Sequence, residues 1–193
     1  KPRRTLFIYL ISLLVYSQVV QNYYHEILVV SRAHFDEPEK LQNILGKYDR
    51  EIRESEIDKK DKENIRSSLY FFLGRTYVQL YQYEEAVEIV TKAIELNPEN
   101  YLAYDLRGNI YNMFSHDSDL INKAIQDYTV VLEHFPDSEN YIDVYFKRGK
   151  LYKKSNQKKE AVKDFERVIS LSTEKDTYMK QEAERLLEAL NNK

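Results

Sequence analysis

The chain has 193 residues, with 29 Lys and Arg against 32 Asp and Glu, four glycines, four prolines and no cysteine. The lack of cysteine excludes a disulfide framework and thiolate chemistry. A net charge of −3 gives little of the phosphate attraction on which nucleic-acid binding depends. Scarce Gly and Pro, abundant Glu, Lys, Leu and Tyr, and no strand-like alternation predict a nearly all-helical chain of one domain plus an appendage.

Residues 1–34 open with Lys1, Arg3 and Arg4, followed by a charge-free stretch from Thr5 to His25 whose centre, Leu6 to Val15, is almost wholly apolar. About twenty such residues suffice to cross a bilayer as a helix. Tyr16, Tyr23 and Tyr24 fall where amphipathic rings meet an interface. Three readings stay open. The first is an uncleaved single-pass transmembrane anchor. The second is a signal peptide with Val15 and Ser17 near its cleavage site, leaving a secreted chain. The third is a helix packed on the protein or a partner, which Gln18, Gln21 and Asn22 favour. An anchor preceded by basic residues would put the rest of the chain on the non-cytoplasmic side.

Residues 35–66 are a connector. Asp36 is placed to cap a helix that begins near Glu37 and Pro38. Leu41, Ile44, Leu45, Tyr48 and Ile52 then form one apolar stripe. The stretch Glu54–Glu63 is dense in acids and lysines with one apolar residue, Ile57, and reads as a solvated loop or helix end. No Gly or Ala falls where a further copy of the pattern downstream would need it.

That pattern fills residues 67–173. Tyr70, Gly74 and Tyr77 recur as Tyr104, Gly108 and Tyr111, and again as Tyr145, Gly149 and Tyr152; Gly74 and Gly108 are 34 residues apart. A period of this length means stacked helix pairs. After Gly74 come Ala86, Ala93 and Pro98 at offsets of 12, 19 and 24, and after Gly149 come Ala161 and Val168 at 12 and 19, with Phe165 between them. The middle copy regains the match, at Ala124, Tyr128, Val131 and Pro136, once four extra residues are allowed at Ser115–Asp119. Gly and Ala let two helices approach closely. The tyrosines bury aromatic area and need partners for their hydroxyls. Pro98 and Pro136 stop the second helix of their pairs. Residues 174–193 form a cap, with Met179, Ala183, Leu186, Leu187 and Leu190 on one face and Glu182, Glu184, Arg185 and Glu188 on the other.

These residues resemble the tetratricopeptide repeat family over roughly 67–171, giving three repeats at 67–100, 101–141 and 142–173. The resemblance implies an all-α, right-handed superhelix of helix-turn-helix units that presents a surface and carries no chemistry. The chain departs from the family in four ways. Tyr stands for the common Trp. Arg107 and Arg148 precede Gly where an apolar residue is usual, although Leu73 fits. Thr173 replaces a proline. Asp137–Tyr141 adds about three residues between the second and third repeats.

No enzymatic constellation accompanies the repeats. His25, His34, His116 and His134 lack metal-ligand spacing. The Asp117 and Asp119 loop lacks the Gly and Glu of a calcium hand. No Gly-rich phosphate loop or paired nucleophile is present. No metal, cofactor, nucleic acid or small-molecule substrate is expected.

Charge is uneven. Lys147–Lys163 holds eight basic residues and one acid, whereas Asp117–Asp143 holds seven acids and one lysine. In this family the first helix of each unit lines the concave groove. That register nominates Phe71 and Arg75 in the first repeat, Asp105, Asn109 and Asn112 in the second, and Phe146, Lys147, Lys150, Lys153 and Lys154 in the third. The resulting expectation is a groove that grips a protein partner as a peptide or helix of acidic or carboxylate-ended character. The carboxylate clamp of some family members is not matched, because Phe71 and Asp143 stand where that clamp has lysine. The expected function is a membrane-tethered adaptor or assembly scaffold. The rivals are a structural subunit of a larger membrane complex and a soluble repeat protein whose N-terminal helix completes its own stack.

Overall fold

The computed structural model describes residues 37–174 and 177–192, together with Asn22, His25 and Val29. The charge-free segment nominated as an anchor, and Asp36, therefore lie almost wholly outside the described residues. Among the described residues no helix is long and apolar enough to cross a membrane. Those residues form eight α-helices and a short 3₁₀ turn, with no strand. The chain divides into two compact units, one up to Ala103 and one from Tyr104.

In the first unit, α1 (Pro38–Glu54) has proline in its opening turn, where a missing N–H costs nothing. Leu45 and Ile52 are fully buried, and Ile44 and Tyr48 are half-buried, along the expected stripe. Helix α2 (Lys59–Gln79) begins earlier than the charge-rich sequence suggested. Only Ser55–Ile57 bend away between the two helices. Asp58 caps α2 by accepting the Lys60 N–H at 2.8 Å, and Asp61 lies in the first turn. Acids at this end complement the helix dipole, and Lys and Glu are good helix formers. So a segment that looks like a loop by composition folds as a helix start.

Helix α3 (Tyr83–Leu96) pairs with α2 through small side chains. Ala86 and Ala93 are fully buried, and a Cβ on Gly74 would collide with a Val90 methyl. Asn97 closes α3 one residue before Pro98. Ser67 Oγ donates to the Ala93 carbonyl at 2.7 Å and accepts from Asn100 Nδ2 at 2.8 Å, fastening the middle of α2 to the end of α3. The tight α2–α3 turn holds Tyr81 at φ 60° with its ring 79% exposed. That left-handed conformation costs a tyrosine about 1–2 kcal/mol.

Helix α4 (Tyr101–Met113) straddles the division, and Ala103, the last residue of the first unit, is fully buried. In the second unit it is followed by α5 (Ser118–His134), the 3₁₀ turn Glu139–Tyr141, α6 (Ile142–Lys154), α7 (Lys158–Leu171) and α8 (Thr177–Asn191). A Cβ on Gly108 would sit 2.9 Å from the Tyr128 ring, and one on Gly149 2.9 Å from the Phe165 ring. Tyr128 and Phe165 are themselves fully buried. The four extra residues of the middle copy form the α4–α5 turn. There Asp117 accepts the Asp119 N–H at 2.7 Å, which makes it a helix cap. Ala183 and Leu186 of α8 join the core that α5, α6 and α7 share, with Met179, Leu187 and Leu190 packed at its edge. Two buried tyrosines find partners for their hydroxyls: Tyr128 donates to Asn109 at 2.9 Å and Tyr145 to the Pro136 carbonyl at 3.0 Å.

The arginines that break the family pattern are half-buried and form ion pairs with buried aspartates. Arg107 meets Asp127 through two hydrogen bonds of 2.8 Å, from α4 to α5. Arg148 meets Asp164 through bonds of 2.9 and 2.7 Å, from α6 to α7, and reaches Thr129 of α5 at 3.0 Å. Each guanidinium also lies near tyrosine rings: Arg107 over Tyr104 at 5.8 Å, Arg148 over Tyr145 and Tyr152 at 5.7 and 5.6 Å. Burial pushes the Asp127 and Asp164 carboxyls up, and the guanidiniums oppose it. At the equivalent places in the first unit stand Leu73 and Ile89, both buried. A buried apolar pair therefore replaces an ion pair at the same crossing.

Two stability outcomes follow. Gly108→Ala should lower stability by about 1–3 kcal/mol through overpacking against Tyr128. Gly46→Ala, in mid-α1 with nothing within 4 Å of its added Cβ, should raise stability by about 0.5–1 kcal/mol. Urea melts of both variants check the contrast. Similarly, Asp164→Ala should cost about 3–5 kcal/mol by stranding Arg148, while Arg148→Leu combined with Asp164→Ile should be near neutral. The same melts on these two variants distinguish them.

Candidate functional site

On the first helix of each pair, the residues three before, one after and four after the glycine form a row that flanks its contact. In the first unit this row includes Phe71 and Arg75 on α2. Phe71 is only 9% exposed and meets Phe72 edge-on at 5.4 Å. Arg75 is exposed, with its guanidinium 5.8 and 5.9 Å from the two rings. The pair thus presents a charge on an aromatic base, worth about 0.5–1 kcal/mol at an exposed site.

In the second unit the row on α4 is Asp105, Asn109 and Asn112, with Met113 next to it. The first three are half-buried and Met113 is 57% exposed. Asn109 is fixed on both sides: its Nδ2 donates to Asp105 at 3.0 Å, and its Oδ1 accepts from Tyr128. Burial pushes the Asp105 carboxyl up; the Lys147 ammonium opposes the rise and the Asp143 carboxylate adds to it. Burial also pushes the Tyr128 hydroxyl far up, so it stays a donor. Asp105, Asp143 and Lys147 thus lie within electrostatic reach of one another, with the buried Tyr128 hydroxyl behind Asn109.

On α6 the nominated lysines separate into two kinds. Lys147 is half-buried and bound to Asp143 one turn earlier at 2.7 Å. Lys150, Lys153 and Lys154 are exposed. Lys150 rests 4.6 Å over the Phe146 ring, and Lys154 reaches Ser115 at 3.3 Å. Phe146 itself is 8% exposed and packs against Phe165 at 6.2 Å, so most of its ring serves the core. Glu182 on α8 is the acid within reach of this ridge. The Arg185 guanidinium holds it below the usual carboxylate range, and Lys150 and Lys153 add to the pull.

Sequence reading missed three members of this face. Asp143 was noted only as a departure from the clamp. Its spacing to Lys147, four residues along a helix, is the ordinary signature of an ion pair. Met113 and Ser115 lie beside the nominated residues but carry no distinctive pattern. Among the described residues no group of three His, Asp or Glu could hold a metal. The face offers hydrogen-bond donors, acceptors and charge.

The family profile described as tetratricopeptide repeat matches residues 67–100 and 142–175. No curated protein matches the sequence. Among solved structures, a tetratricopeptide domain of Arabidopsis OM64 is similar at 25% identity and TM-score 0.54, over 66% of this chain and 98% of that one. The first such domain of Spaghetti (RPAP3), bound to the HSP90 peptide SRMEEVD, is similar at 22% identity and TM-score 0.54, over 67% and 93%. A tetratricopeptide repeat protein from Parabacteroides merdae reaches TM-score 0.67 at 18% identity, over 89% of this chain and 61% of that one. The last two likenesses concern the fold alone. Residues 67–100 and 142–175 thus match tetratricopeptide repeats, and the described residues have an all-α helical-repeat fold like that of these proteins.

Proposed function

We propose that this chain is a non-catalytic adaptor or assembly scaffold, held at a membrane by its N-terminal segment, whose first-helix rows bind a segment of a partner protein. In this reading α4 and α5 form a third repeat between the two matched ones, and α8 caps the stack. The observation that carries it is the exposed ridge of Lys150, Lys153 and Lys154 on α6, joined by Lys154 to Ser115 just past α4, the helix on which Asn109 and Asn112 are half-buried. Amide groups held by a hydrogen-bond chain and lysines with their ammonium groups in water recognise an extended peptide without reacting with it. A peptide-bound domain of like fold, that of Spaghetti, supports the same use of the face.

The tether rests on sequence: a charge-free stretch from Thr5 to His25 behind three basic residues. A membrane-spanning helix with that flank would carry the repeats on the non-cytoplasmic side.

Two experiments test the reading. The double variant Lys150→Glu, Lys154→Glu should reduce partner capture from mildly solubilised native membranes by about tenfold or more, since like charges then face an acidic segment. Helicity by circular dichroism should not change. Undiminished capture would remove the ridge from the function. The full chain should also stay with membranes through alkaline carbonate, and a variant lacking residues 1–34 should be released. Full release of the intact chain would end the tether.

A further inference from the structure

The first-helix face of the second unit is electrically two-ended. At one end Asp105 of α4 lies within electrostatic reach of Asp143 and Lys147 of α6, and Lys147 is already bound to Asp143 at 2.7 Å; at the far end of the same two helices Lys154 reaches Ser115, just past α4, at 3.3 Å. Two carboxylates against one ammonium leave this end negative. At the other end Lys150, Lys153 and Lys154 stand exposed in the last turns of α6, with no carboxylate of that helix among them. The acid that approaches from the neighbouring helix, Glu182, is held by Arg185 at 2.8 and 2.6 Å. Three ammonium groups therefore outweigh one shared carboxylate.

The two ends are separated along α6 by seven to eleven residues, roughly 10–16 Å at the helical rise. An extended peptide covers that span in about three to five residues. A uniformly acidic segment that runs on from the lysine ridge along α6 would bring a carboxylate up to Asp105 and Asp143, and like charges in contact are a strong discriminator.

We propose that this face selects a bipolar segment, with carboxylates over Lys150, Lys153 and Lys154 and a Lys or Arg side chain about three to five residues away beside Asp105 and Asp143. The inference rests on the face being a peptide-binding surface, and it specifies the chemistry of the peptide. Asp143 acts here as a filter that rejects purely acidic competitors and keeps Lys147 from attracting them.

The test uses the full chain and four blocked peptides of equal length, measured by fluorescence anisotropy. Two are bipolar, in opposite chain directions, with a lysine about four residues from a glutamate pair. The third has the same composition with the charges interleaved, and the fourth carries glutamate only. One bipolar peptide should bind about tenfold tighter than the interleaved one. Asp143→Asn should narrow that ratio and tighten the all-glutamate peptide several-fold, because it removes repulsion and frees Lys147. Asp105→Asn should act in the same direction, so the test survives if one substitution perturbs folding by circular dichroism. If the interleaved peptide binds as well as both bipolar ones, or the all-glutamate peptide is tightest with Asp143 in place, the inference is overturned while peptide binding stands. If none of the four binds, the peptide-binding reading falls together with it.

Discussion

Close approach of two helices at a glycine is the constraint from which this structure follows. Gly74, Gly108 and Gly149 each face a side chain that leaves no room for a Cβ: Val90, Tyr128 and Phe165. Because the facing groups differ while the glycines do not, backbone proximity is what recurs, and the filler is adjusted to each crossing. That proximity buries Ala86, Ala124 and Ala161 completely on the second helices. It commits one side of every first helix to the core and leaves the other side free to carry polar and charged residues.

The free side is where charge has to be counted by partner. The third pair looks strongly basic along the chain, yet Arg148 is spent on Asp164 and Lys147 on Asp143. On its first helix, α6, what reaches solvent is a narrower ridge of three lysines, while Lys158, Lys159 and Lys163 are exposed on its second helix, α7. Likewise Asp127, one of the seven acids of Asp117–Asp143, and Asp164 are buried against arginines. A bidentate pair contributes little to the field outside, since opposite charges in contact nearly cancel at a distance. On the first-helix face, polarity is set by Asp105 and Asp143 at one end and by Lys150, Lys153 and Lys154 at the other.

The helix pairs and their glycine contacts were legible because sterics admit so few residues there. The stops at Pro98 and Pro136 were legible because proline lacks an N–H. Other features were hidden for definite reasons. The start of α2 at Lys59 was masked by its own charges, which mark a loop by composition and a capped helix once Asp58 and Asp61 are read as first-turn acids. Phe71 and Phe146 were assigned to the binding row by register, but flanking rings take most of their area. The Arg–Asp pairs needed an internal alignment: Asp164 follows Gly149 by 15 residues, and Asp127 follows Gly108 by 19, displaced by the four-residue insertion. Once aligned, apolar Leu73 with Ile89 and charged Arg with Asp covary across the copies, a signal contained in the single sequence.

That covariation has a consequence for how near-identical hairpins assemble. Chains built from similar units are prone to mispairing, in which one unit's first helix docks on another unit's second. An exchange that set Arg148 against Ile89, or Leu73 against Asp164, would strand a buried charge at a cost of about 3–5 kcal/mol. The native pairings avoid that cost. Polar addresses written into two crossings and erased from the third thus let the polypeptide sort its own look-alike parts.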